Sequence, residues 1–227
     1  MGRMASMDAM SMRFSPVPGW AFAGAVSFPA LTLALGYLPT ERLVAVAAFV
    51  AGIGVVTGAA LAARRRGSPV WEAARAWAVA YTAGVLVYAF GQQFSWPQPA
   101  NAVIVRPDGS GGLNSGQEIF LLLLSIGVTF LLGAVLDESS AAAPGGRLRT
   151  AASAAVAWAV AMLPLPILIV CGVYATSILG NTIPFGNEVP AHLIGLMCSG
   201  AISGFTVGAI AESVMSRLRP VRPSLAS

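Results

Sequence analysis

The chain has 227 residues, 56% of them hydrophobic and 10% charged, with a mean hydropathy of +0.76 and a formal net charge of +4. A soluble domain carries about 25% charged residues, so an ordinary water-soluble fold is excluded. The apolar residues come in runs of about twenty, the length that crosses about 30 Å of hydrocarbon, which predicts an all-α integral membrane protein. The pI near 9.7 does not indicate nucleic acid. All thirteen basic residues are Arg and stand at the ends of the apolar runs, with no basic stripe interleaved with aromatics.

Residues 1–18 read as a flexible cytoplasmic tail. Met1, Met4, Met7, Met10 and Met12 fit several candidate start codons better than a thioether site for Cu(I). The first span, 20–38, follows Pro16 and Pro18. Arg13 and the small-x-small sequence Ala34-Leu35-Gly36 resemble a secretory signal, but the apolar stretch exceeds a signal core and reads as a retained helix. Thr40 suits the N-cap of the second span, 43–63, in which Gly54, Gly58 and Ala62 form a small-residue row for helix packing. Arg64, Arg65 and Arg66 end it.

The third span, 70–90, opens with Glu72 and Arg75 at i and i+3, close enough to pair. The polar segment 92–116 follows, with Trp96 as an interfacial anchor, a short strand expected at 101–105 and a turn at Pro107-Asp108-Gly109. The fourth span, 118–136, ends at Asp137 and Glu138. The fifth, 151–179, is interrupted by Pro164 and Pro166, a predicted hinge whose prolines free the carbonyls of Val160 and Met162. The sixth runs over 190–215, and a basic cytoplasmic tail occupies 216–227.

Arginine counting sets the orientation. With six spans in a single domain over 19–215, one side collects ten arginines and the other only Arg42 and Arg106, while Arg75 lies in a helix end. This bias predicts a six-helix transmembrane bundle with both termini cytoplasmic, in the plasma membrane of a bacterial-type cell. The lipid bilayer is its first partner.

The last span has two faces. On a wheel of 100° per residue, Ser199, Ser203 and Thr206 fall within about 40° of His192, whereas Gly200, Gly204 and Gly208 lie roughly 80–160° round. The glycine stripe, like Gly54 and Gly58, reads as a packing surface for another helix, a second copy or a membrane-complex partner. The polar face could extend a solute path. At the expected outer level Glu118 begins the fourth span and Glu188 and His192 begin the sixth, a set that reads as an outward-facing vestibule for a small solute.

Enzymatic templates fail. A single histidine excludes zinc, di-iron and bis-histidine haem sites. Cys171 and Cys198 form no C-x-x-C pair and are expected as buried free thiols. The sequence around Ser203 lacks a following base for nucleophilic chemistry. No catalytic residue, metal or cofactor is expected. The sequence therefore predicts a protein that binds or translocates a small solute, or else a non-catalytic accessory subunit docking through its glycine faces.

Overall fold

The computed structural model describes residues 16–36, 41–91, 103–104, 113–142, 146–182 and 188–218; within these, the side chains of 33–36, 41–44, 103–104, 113–119, 141, 173, 176–182 and 188–192 lie outside the description. The elements are α1 (Val17–Gly36), α2 (Glu41–Arg66), α3 (Val70–Gly91), β1 (Val103–Ile104), β2 (Leu113–Asn114), α4 (Ser115–Ala141), α5 (Arg147–Met162), α6 (Leu165–Thr182) and α7 (Glu188–Leu218). Five stretches among the described residues are long and apolar enough to cross a membrane: Ala45–Arg66, Val70–Gly91, Phe120–Ser140, Arg147–Gly172 and Leu193–Leu218. The fourth of these runs through the break between α5 and α6.

The packing is inside-out relative to a soluble protein. The interior is lined by small residues such as Ala51, Ala59, Ala62, Ala73, Ala80, Ala154, Ala157 and Ala211, all fully buried. Large apolar side chains point outward instead, with Phe49, Leu163 and Tyr174 at 70%, 74% and 70% exposure. Lipid tails are as apolar as these side chains, so burying them against protein gains little. Close backbone approach between small residues gains dispersion contacts instead.

The helices form a ring. α1 packs on α2 and α7, α2 on α3, α3 on α4, α4 on α5, and α5 on α7, while α6 lies against α7 and only touches α5. The row Gly54, Gly58 and Ala62 of α2 lies against α1, where Gly58 meets Gly19 and Ala23, and Gly54 meets Val26 and Ser27. The row Gly200, Gly204 and Gly208 of α7 lies against the other flank of α1, at Gly24, Phe28 and Trp20. Both rows are therefore occupied inside the chain. A buried hydroxyl adds to the first interface, where Ser27 Oγ donates to the Ala51 carbonyl at 2.8 Å.

With α1 drawn in this way, Trp20 enters the ring and meets Trp77 of α3, Trp158 of α5 and Phe130 of α4. Its ring centroid lies 4.8 Å from each of the other two indoles and 6.4 Å from Phe130. The four rings fill the middle of the bundle.

Several expectations are corrected. α1 begins at Val17, which is fully buried together with Pro16. The helix therefore takes in Val17 and Pro18, the last residues of the stretch expected as a tail, and a proline suits a first helical turn because no amide donor is needed there. At the fifth span the helix divides as expected, but the Val160 carbonyl is not left free. It accepts from Leu163 N at 3.2 Å, and Leu168 N donates to the Pro164 carbonyl at 3.0 Å across the break. Cys171 and Cys198 are free but exposed, because an apolar position in a lipid-facing helix is no sign of an interior one. A two-residue antiparallel pairing, Val103 with Asn114 and Ile104 with Leu113, falls within the expected strand at 101–105. Thr40, Trp96 and the turn at Pro107 lie outside the described residues.

The α1–α7 seam gives a direct test. A Cβ on Gly200 would run into the Gly24 carbonyl oxygen, whereas one on Gly127 of α4 meets nothing within 4 Å. Gly200→Ala is expected to lower stability by about 1–3 kcal/mol, the range for overpacking, and Gly127→Ala to leave it unchanged or raise it slightly. Thermal unfolding of the two variants in detergent checks this difference.

Candidate functional site

Arg66 sits at the end of a buried stripe. Ala59, Ala62 and Ala63 are fully buried, and Arg66 follows them by seven, four and three residues, so it shares their face. The chain then turns sharply. Gly67 adopts φ 70°, its N–H donates to the Arg64 carbonyl at 3.2 Å, and Ser68 N donates to the Ala63 carbonyl at 2.9 Å. This is the Schellman pattern of helix ends, which a glycine in the left-handed region makes without steric cost. It makes Arg66 the last residue of α2 and turns its side chain into the ring.

Three carboxylates meet it there. Asp137 and Glu138 end the inner face of α4, one turn past Gly133 and Ala134, and Glu212 follows Gly208 and Ala211 on α7. Arg66 Nη2 donates to Asp137 Oδ2 at 2.8 Å and Nη1 to Glu138 Oε1 at 3.0 Å, with Glu212 Oε1 at 3.6 Å from Nη1. The four side chains are only 9–12% exposed. A guanidinium suits this task because its planar fork serves two acceptors at once and keeps its charge when buried.

The cluster is joined to the aromatic centre. Trp77 Nε1 donates to Asp137 Oδ2 at 3.3 Å, and the Trp77 ring lies against Trp20, Trp158 and Phe130. Among the described residues, the buried donors Arg66 Nε and Trp20 Nε1 have no hydrogen-bond partner. The end of the ring thus holds a charged layer with an aromatic layer stacked directly on it.

The residues expected to form a solute path are placed differently. Ser199 of α7 lies against Gly172 of α6 and donates to its carbonyl at 3.4 Å, so at this position the two helices are in direct contact. Ser203 is buried at 6% exposure on the stripe that continues to Val207, Ala211 and Met215, which belong to the core. Thr206 is half-buried. Glu118 lies in the first turn of α4, and Glu188 and His192 in the first turns of α7; their side chains lie outside the described residues. Glu72 and Arg75 are exposed and do not pair. On α7, Glu212 lies beside Arg66 of α2.

In the sequence Asp137 and Glu138 stand at the end of the fourth span, while Arg66 enters only through the arginine count. The available sign was the 3.6-residue period. In a run of three consecutive arginines the side chains are spread about 200° round the helix, so one of them has to face inward when the preceding stripe is small and apolar.

The fold and this site define a predominantly helical protein with, among the described residues, five membrane-spanning-type stretches and a nearly buried charge cluster at one end of its ring. No protein-family model matches the chain, and neither does any curated protein or solved structure. Among the described residues no group of His, Cys, Asp and Glu is arranged to hold a metal ion.

Removing the guanidinium leaves three carboxylates facing one another in a nearly dry site. Arg66→Gln is expected to cost about 3–5 kcal/mol, the range for breaking a buried pair from one side. Arg75→Gln, at an exposed position, is expected to be neutral. Chemical or thermal unfolding of both variants in the same detergent checks the contrast.

Proposed function

We propose that the chain is a six-span plasma-membrane protein, with both termini cytoplasmic, that binds or translocates a small solute from an outward-facing site. The single observation that carries this reading is the Arg66 cluster. Four ionisable side chains from three helices meet nearly buried inside a ring of apolar helices. Ionisable groups inside a membrane bundle are costly, and they are commonly found where a path has to be closed or a charge handled. The arginine distribution supports a cytoplasmic position for this end, since Arg64, Arg65, Arg147, Arg149 and Arg217 stand at the ends of the helices that meet there.

In this reading the cytoplasmic end is shut by two layers, the charge cluster and the aromatic rings. The solute enters from the opposite end, where Glu118, Glu188 and His192 begin α4 and α7. A carboxylate and an imidazole near one another suit a polar or zwitterionic solute better than an apolar one. The bond between Ser199 and Gly172 supports a path that runs inside the ring rather than along the α6–α7 seam.

The alternative, an accessory subunit docking through its glycine stripes, has less support. Gly54, Gly58, Gly200, Gly204 and Gly208 are all covered by α1, so a partner would need another face.

A panel of amino acids, sugars, vitamins and organic ions, screened by thermal shift on the purified protein, tests the proposal. A solute at about 100 times its Kd stabilises by about 2.7 kcal/mol. We expect at least one class to do so, with the shift lost in His192→Ala and Glu188→Gln while both variants stay folded. A panel without effect, or a shift that survives both substitutions, overturns it.

A further inference from the structure

We infer that the Arg66 cluster is a releasable latch that bridges two helical units of the ring, and that its release opens the ring at this end. The gating role rests on the solute-path reading above, whereas the latch itself stands on the packing alone.

The ring is unevenly joined. α1 is bound to α2 and α7 by backbone approach at Gly58 and Gly19 on one flank and Gly24 and Gly200 on the other. α3 packs more extensively on α4 than on α2, with Gly84 against Thr129 and the Ser125 carbonyl, Gly91 against the Leu121 side chain and Gly133 against the Trp77 ring. α5 continues that second unit by packing on α4. Between the units the α2–α3 and α5–α7 seams are less extensive than the packing within each unit. On the α2–α3 seam Gly52 meets the Tyr81 ring, and Tyr81 Oη donates to the Ala48 carbonyl. On either side of the α5–α7 seam, Ala154 and Ala157 of α5 and Ala211 of α7 are fully buried in the one core cluster.

The latch does not lie in either seam. Arg66 belongs to α2 in the first unit, and Asp137 and Glu138 to α4 in the second, and α2 and α4 are not neighbours in the ring. The ion pairs therefore span its interior. Glu212 holds the same guanidinium from α7, so one side chain gathers three helices. Glycine interfaces of this closeness move as solid units, because backbones in contact leave no slack. A charged bridge behaves differently: it holds through a few directed bonds, and once these are lost nothing of comparable shape replaces them.

The chain crosses between the units at places suited to bending. One is the turn from Gly67 to Val70, which keeps α2 and α3 together at the latch end. The other is the break at Leu163 and Pro164, where α5 stays with α4 while α6 packs on α7 with little contact to α5. Because the first crossing pins one side, release lets α4 and α5 move away from α7. The seam that opens is the one between α5 and α7. The aromatic layer, which crosses the units only by ring contacts, is uncovered next.

Thiol accessibility tests this directly. In a Cys171→Ser, Cys198→Ser background, Ala211→Cys places a thiol at a fully buried position beside Glu212. In lipid nanodiscs, labelling by a membrane-impermeant maleimide is expected to be slow. Adding Asp137→Asn with Glu138→Gln, which keeps side-chain shape and removes both charged acceptors, is expected to speed labelling at least tenfold. Adding Glu72→Gln, at an exposed site, is expected to change nothing. Where the double substitution does not fold, Glu138→Gln alone is expected to give a smaller rise in the same direction. Unchanged labelling in a folded latch variant, or an equal rise with Glu72→Gln, overturns the latch. The panel of solutes applied to the same nanodiscs separates the two ideas: fast labelling without any solute response keeps the latch and removes the transport reading.

Discussion

The structure depends on how closely α1 approaches the helices on either side. Between lipid-embedded helices there is no water to expel, so association rests on contact alone, and contact is greatest where side chains are smallest. Gly19 and Gly24 let α1 touch α2 and α7 backbone to backbone. That placement fixes how far Trp20 reaches into the ring, and the Trp20 indole in turn sets the spacing of Trp77, Trp158 and Phe130. The central layer is thus a consequence of glycines on the outer helices rather than of the aromatics themselves.

The charge cluster is a constraint of another kind. Burying one guanidinium and three carboxylates costs several kcal/mol per ion unless the geometry is good and further hydrogen bonds are made. Two of the bonds are short and charge-assisted, and Trp77 supplies a third donor to Asp137. Hydrophobic replacements commonly match such an arrangement in stability, so stability alone does not account for it. What it adds is directionality: a bridge between helices that are not neighbours in the ring, fixed at one register by the helix end at Gly67.

Much of the architecture was legible in the sequence because lipid imposes simple lengths. The six apolar runs all appear as helices, with the fifth divided at Pro164 as its prolines require and the pairing of Val103 and Ile104 inside the expected strand. The glycine rows could be seen as contact surfaces, but not whose, since a stripe on a wheel carries no information about its partner. The Arg66 site was less legible for a related reason. Charge counting treats Arg64, Arg65 and Arg66 alike, whereas the helical period gives them three different environments, with Arg66 alone aligned with Ala59, Ala62 and Ala63. Cys171 and Cys198 misled in the opposite sense, because apolar neighbours mean interior in water and exterior in lipid. For Glu118, Glu188 and His192 the sequence still carries the whole case.

The position of α1 between α2 and α7 also dictates an order of assembly. α1 and α2 emerge early in synthesis and can join through Gly58 at once, but the second flank of α1 stays open until residues 188–218 exist. Closure of the ring therefore waits for α7, and a chain that stops before it leaves one flank of α1 without the helix that covers it.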